Sequence, residues 1–317
     1  MYKIGIDLGG TNIAAGVVDE KSHILGAASV KTNCPRPAEE IADSIAEAAK
    51  LAVRKAGVSM QDVESVGVGT PGAVNADGVV ENSPNLGFLH TPLRDMIRQR
   101  LGKPTFVEND ANCAALGEQL AGCGHGVRNF IAVTLGTGVG GGIILNGKLL
   151  TGINGAAGEV GHMVIVKDGI PCKCGRQGCF EKYASATALV RETREAMEAD
   201  AYKTSLMWKI SDSLEKVNGI TAFKAARQQD ELGLKVVDEY ISYLAVGVTD
   251  LINLFQPDIL CIGGGISREG DFLIQPLIQK VNEQQYAQYA MKKTEIRAAV
   301  LGNDAGIIGA ALLATLS

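Results

Sequence analysis

Four residues with soft donor atoms crowd one stretch of the chain: His162, followed by Cys172, Cys174 and Cys179 as C-x-C-x₄-C. One imidazole and three thiolates make the complete tetrahedral donor set of a structural Zn²⁺ site, leaving no open position for a substrate. The spacing differs from that of a zinc ribbon, and the glycines among the ligands supply the sharp turns. The plain alternative is four reduced, unmetallated side chains. Glu159 and His162 also have the E-x-x-H spacing of di-iron helices, but Gly158 and Gly161 disfavour the helix that chemistry needs, and no second copy exists.

Two glycine-rich turns carry a different chemistry. Asp7-Leu8-Gly9-Gly10-Thr11-Asn12 offers backbone N–H groups that can approach phosphate oxygens, donors on Thr11 and Asn12, and a carboxylate for Mg²⁺ on Asp7. An ordinary polar hairpin turn is the alternative. Gly136-Thr137-Gly138-Val139-Gly140-Gly141 satisfies the dinucleotide fingerprint in letters, yet Gly142-Ile143-Ile144-Leu145 follows, a strand where the fingerprint requires a helix. Gly142 to Lys148 is spaced like a Walker A loop, but Leu149 stands where that loop needs a hydroxyl. Both matches are read as a second phosphate hairpin. Glu108-Asn109-Asp110-Ala111-Asn112 falls where a strand ends and a helix starts. Asn109 or Asp110 there could serve only as a helix cap. A carboxylate at that place is also suited to accept the proton of an attacking hydroxyl, as phosphoryl transfer requires.

The elements that must position these groups alternate between strand and helix. Tyr2–Leu8 and Ile13–Val18 read as strands of a hairpin, and Glu39–Ala56 as a helix with one apolar face ended by Gly57. Val63–Val68 and Thr105–Glu108 read as strands, Ala111–Gly117 as the start of a helix. Phe130–Leu135 and Gly142–Leu145 form a second glycine-jointed strand pair. Helices dominate from Ser185 to about Phe255, strand Ile259–Ile262 meets three glycines, and strand Glu295–Leu301 leads into a helix over Ala305–Leu316. The order implies an α/β architecture. Ile4–Val18 set over Ile131–Leu145 is a weak internal repeat of the form strand, glycine turn, strand, which would present two sets of N–H groups to one polyphosphate.

Composition narrows the class. A chain of 317 residues that is 46% hydrophobic and 21% charged is no disordered polymer. A net charge of −5 without a basic run offers no footprint for nucleic acid or an acidic membrane. The longest uncharged stretch, Asn129 to Gly147, is too rich in glycine for a spanning helix, and Asp7 in the first apolar run is unlike a secretory leader. Seven cysteines, an odd number, favour a cytoplasmic protein with a thiolate site over a disulfide framework; Cys34, Cys113, Cys123 and Cys261 read as small core residues.

Taken together, DLGGTN (7–12), TPG (70–72), NSPNLG (82–87), ENDAN (108–112), LGTGVGGG (135–142), GEVGHM (158–163), CKCGRQGCFE (172–181), IGGG (262–265) and GNDAGIIGAA (302–311) resemble the ROK family of sugar kinases and repressors, in family order. The resemblance implies a two-lobed, actin-like and ribonuclease H-like ATPase fold with a cleft between lobes. Residues 1–110 with helix 303–317 would form the small lobe, and 111–302 the large, zinc-bearing one. Asp110 matches the catalytic base. Asn85, Asn109, Asp110, Glu159, His162 and Glu181 match sugar-contacting positions. Gly10, Thr11, Asn12, Thr137, Gly138, Gly264 and Gly265, with Asp7 for Mg²⁺, match nucleotide-contacting ones. Family repressors carry a helix-turn-helix ahead of DLGGTN; six residues precede Asp7 here, so no DNA-binding domain is expected. The implied activity is ATP-dependent phosphorylation of an aldohexose at its 6-hydroxyl, glucose foremost, by a cytoplasmic homo-oligomer, a dimer or tetramer. Fructose, N-acetylmannosamine or N-acetylglucosamine kinases, a non-catalytic sugar sensor and a dinucleotide oxidoreductase are the rivals.

Overall fold

The computed structural model describes residues 1–316. Strands β1 (Tyr2–Leu8), β2 (Asn12–Val18) and β3 (Ile24–Lys31) form an antiparallel meander, followed by helix α1 (Ala38–Ala56). Next come β4 (Val63–Thr70), the short strands β5 (Ala73–Val74), β6 (Val80–Ser83) and β7 (Phe88–Thr91), helix α2 (Leu93–Leu101), β8 (Thr105–Asn109) and α3 (Asp110–Ala121). Strands β9 (Phe130–Leu135), β10 (Val139–Leu145) and β11 (Lys148–Leu149) precede the helices α4 (Glu181–Ala184), α5 (Ala186–Ala199), α6 (Met207–Ser211), α7 (Thr221–Ala226) and α8 (Glu231–Phe255). The chain closes with β12 (Ile259–Gly264), α9 (Asp271–Gln284), β13 (Glu295–Ala298) and α10 (Ala305–Leu312).

The first sheet has the order β3-β2-β1-β4-β8, with β4 and β8 parallel to β1. Ile4, Ile6 and Leu8 of β1 alternate inward with Ile13, Ala15 and Val17 of β2, and α1 covers them with Ile41, Ile45, Ala48, Ala49 and Ala52. Period-2 alternation meeting a 3.6-period stripe is what builds such a layer. On the other face α10 lies so close that a methyl group at Gly5 or Gly67 would strike the carbonyls of Ile307 or Ala310. Only a strand without a Cβ admits a helix backbone at that distance.

The second sheet has the order β11-β10-β9-β12-β13, with β12 and β13 parallel, and β5-β6-β7 form a small antiparallel sheet. By packing, the described residues divide into one unit of 1–132, 141–158 and 300–316, and another of 133–140 and 159–299. Residues 111–132 and 141–158 therefore group with the first unit, whereas the family resemblance sets its boundary at 110. The reason is α3, which packs on α10 and β4. In the second unit α8 is the organising helix: Asp230 caps it by accepting from the Gly233 N–H, and its buried face runs through Val236, Tyr240, Ile241, Leu244 and Val248. Among the described residues no helix is long and apolar enough to cross a membrane.

Candidate active site

In the first unit the site is built at the carboxyl ends of parallel strands. The register places Asp7 opposite Gly69, Gly69 opposite Glu108, and Thr70 opposite Asn109. Three consecutive strands thus end in one row, where α/β proteins place their ligands. Asn109 takes the capping role: its Oδ1 accepts from the N–H groups of Ala111 (2.9 Å) and Asn112 (3.1 Å), and its Nδ2 donates to the Gly72 carbonyl at 3.2 Å. Asp110 accepts from the Ala111 N–H at 2.8 Å, and the Asn109 side chain also hydrogen-bonds its carboxylate. Burial raises the Asp110 carboxyl above its ordinary value, and burial followed by repulsion from Asp110 pushes Asp7 up to about 6. Two half-buried acids that disfavour each other's charge make a donor set that a divalent cation relieves, so the residues fit Mg²⁺ held through Asp7.

The DLGGTN hairpin is pinned from outside its own motif. Gly9 N–H donates to the Asn12 carbonyl at 2.9 Å, and buried Thr32 donates its hydroxyl to the Gly9 carbonyl at 2.6 Å. Thr11 and Asn12 stay exposed, and the Asn85 backbone comes up to Gly10. Sequence reasoning missed Thr32, which no motif marks. Glu108 also takes a part not foreseen: its Oε1 accepts from the Asn109 N–H (2.8 Å) and from Asn112 Nδ2 (3.0 Å), while burial raises its carboxyl. The letters of the ENDAN run held that signal.

In the second unit the β9–β10 turn carries Thr137 and Gly138. Thr187 donates its hydroxyl to the Thr137 carbonyl at 2.7 Å, and Ala186 N–H donates to the Gly136 carbonyl at 2.9 Å, tying the turn to the start of α5. Gly264, with φ 84°, lies against the Leu135 backbone, so the IGGG segment joins the same turn; Gly265 faces open space. A Cβ at Gly138 would stand 2.7 Å from Glu181 Oε2. The phosphate turn and one expected sugar carboxylate are therefore direct neighbours.

The ligand atoms of His162, Cys172, Cys174 and Cys179 all lie within 4.8 Å of one another. Cys172 Sγ is 3.8 Å from His162 Nδ1, and the Cys174 and Cys179 sulfurs are 3.6 Å apart. A tetrahedral ion with ligands at about 2.0–2.3 Å has edges of roughly 3.3–3.8 Å, so the four side chains fit Zn²⁺. Local bonds shape the loop: Cys172 N–H donates to the Arg176 carbonyl, and Arg176 reaches back to the His162 carbonyl. Glu181 Oε1 lies 3.2 Å from Cys172 Sγ, while Glu159 is exposed.

Each unit thus gathers one set of expected residues: Asp7, Gly10, Thr11, Asn12, Asn85, Asn109 and Asp110 in the first, Thr137, Gly138, Glu159, His162, Glu181, Gly264 and Gly265 in the second. Glycine hairpins, a half-buried acid at a strand end and a thiol loop on this sheet order define a protein of the actin-like ATPase class. Residues 3–316 match the ROK family, and the chain belongs to it. It is 42% identical over 311 residues to the glucokinase of Thermotoga maritima, covering 97% of this chain and 95% of that protein. A ROK family glucokinase from Streptomyces griseus, solved in complex with glucose and AMPPNP, is alike over all of both chains, with a TM-score of 0.85 and 40% identity. The ROK hexokinase of Thermus thermophilus gives a TM-score of 0.80 at 34% identity, over 98% of this chain and 97% of that one.

Proposed function

We propose that this chain is an ATP-dependent hexose kinase that phosphorylates the 6-hydroxyl of D-glucose. The observation that carries the reading is the Asp110 carboxylate, set on the first turn of α3 beside half-buried Asp7, in a chain alike over its full length to proteins named glucokinase. Asp110 accepts the proton of the sugar's 6-hydroxyl as that oxygen attacks the γ-phosphorus. The bond from phosphorus to the bridging oxygen breaks, and ADP leaves with the electron pair. Because burial raises Asp110, its basicity is closer to working pH than an exposed aspartate's. Backbone N–H groups of the two glycine turns hold the phosphates, with Thr11, Asn12 and Thr137 adding donors. Mg²⁺ at Asp7 would neutralise charge that develops on the phosphates.

Asn85, Asn109, Glu159, His162 and Glu181 hold the sugar hydroxyls, carboxylates being suited to adjacent hydroxyl pairs. With Nδ1 turned to the thiols, His162 keeps Nε2 for the sugar. Zn²⁺ held by His162, Cys172, Cys174 and Cys179 would brace the loop between Glu159 and Glu181, a structural role. Cys34, Cys113, Cys172, Cys174 and Cys179 are thiols, which supports a cytoplasmic setting. Exposed Leu254, Tyr286, Tyr289 and Met291 support assembly into a dimer or tetramer. A coupled assay over glucose, fructose, mannose, N-acetylmannosamine and N-acetylglucosamine tests the substrate. Glucose should give the highest kcat/KM, and a preference for an acetamido sugar would reject it.

A further inference from the structure

Asn112 is 2% exposed, and its side-chain oxygen has no hydrogen-bond partner. Its orientation is not ambiguous: the Nδ2 group donates to Glu108 Oε1 at 3.0 Å, which leaves Oδ1 pointing the other way. There it faces Gly158, whose would-be Cβ stands 3.9 Å from it. Gly158 sits at φ 85°, a conformation that favours glycine, and it immediately precedes Glu159. The Ala157 N–H, one residue earlier, is already given to the Thr151 carbonyl. A buried acceptor left unpaired is costly, and native chains keep one where it is used in another state.

We infer that Asn112 is a positioning residue for Glu159: its side-chain carbonyl receives the Gly158 backbone N–H when a hexose engages Glu159. The inference rests on the reading of Glu159 as a sugar contact. The chain from Glu108 through Asn112 to Gly158 then fixes the carboxylate from behind, and the bond exists only in the sugar-bound state. The Asn112 oxygen therefore contributes to sugar affinity, while its Nδ2 serves the free protein through Glu108.

The test compares Asn112→Leu and Asn112→Asp with Glu159→Gln in the full-length, metal-loaded protein. Direct glucose titration by calorimetry, KM for glucose and for ATP, and thermal melting are the readouts. Asn112→Leu removes the orphaned acceptor together with the Nδ2 donor to Glu108, whose Oε1 keeps the Asn109 N–H, so Tm should fall only slightly, while glucose affinity falls about tenfold and KM for ATP stays within twofold. Asn112→Asp keeps an oxygen toward Gly158 and can share a proton with Glu108, so glucose affinity should return to within threefold of wild type. Unchanged glucose binding in Asn112→Leu, with Glu159→Gln impaired, overturns the inference and leaves the sugar reading standing. A lowered Tm with both KM values raised equally assigns Asn112 to the scaffold and overturns it too. If Glu159→Gln binds glucose normally, the sugar reading fails, and the inference with it.

Discussion

At Asp110 the two roles open to an aspartate at a helix start can be separated, because Asn109 already does the capping. Asp110→Asn should lower kcat by about 10²–10⁴ while glucose binding by calorimetry largely persists. Near-normal turnover would mean another group takes the proton. The acids also set a pH limb. Asp7, pushed up to about 6, and Asp110, raised by burial, must both be ionised to hold a cation and accept a proton. Activity should therefore fall as pH drops below about 6, with the apparent pKa belonging to the pair. A flat profile down to pH 5 would contradict this. Gly138 is a caution at the same scale. By sequence it is a nucleotide position only, but a side chain there meets Glu181 at 2.7 Å, so Gly138→Ala should raise KM for glucose as well as for ATP. Gly265→Ala, in open space, should affect ATP alone.

Elements, more than residues, decide whether the site is held together. The thiol loop carries Glu159 at one end and Glu181 at the other. Elemental analysis should find one zinc per chain, and stripping it or making Cys174→Ala should lower Tm and raise KM for glucose more than for ATP. A fully active chain without zinc would reduce the four ligands to packed neighbours. Thr32, on the segment just after β3, pins the first hairpin. Thr32→Val should cost about 1 kcal/mol, read as a roughly fivefold rise in KM for ATP. The long amphipathic helix and the hairpin strands were legible because their apolar periods are regular. β3 was not, since its Gly-Ala-Ala-Ser run lacks bulky residues, and β5 to β7 are too short to show any period. The last helix ends at Leu312 rather than Leu316, the final residues tightening into a 3₁₀ turn. The preceding strand ends at Ala298, because Val300 and Leu301 give their N–H groups to buried Glu118 instead of to a ladder.

For the molecule as a whole, buried acids set how stability follows pH. Burial pushes the Glu192 carboxyl on α5 up to about 7, against an opposing pull from Arg191. Between its ordinary value of 4.5 and 7 the folded chain holds a proton there that the unfolded chain has lost, so stability declines as pH rises through that window. Asp7 acts in the same sense between 3.8 and about 6. Tm should be lower at pH 8 than at pH 5, and Glu192→Gln should recover about 2 °C of that loss. A variant with the wild-type slope would place the titration elsewhere. Chemistry and local geometry were determined by the sequence alone: the donor set of the thiol loop, the glycine turns, the acid at the strand end and the α/β order all rest on residue type and local spacing. Partners far apart in the chain were decided only by the tertiary structure. Thr32 under Gly9, Asn112 facing Gly158 and Glu181 against Gly138 are separated by 23, 46 and 43 positions. Such pairs, and the burial that shifts Asp7, Asp110 and Glu192, arise when packed layers bring distant segments together and exclude water. No local pattern encodes that distance, because side-chain period and turn chemistry specify an element's faces but not which other element covers them.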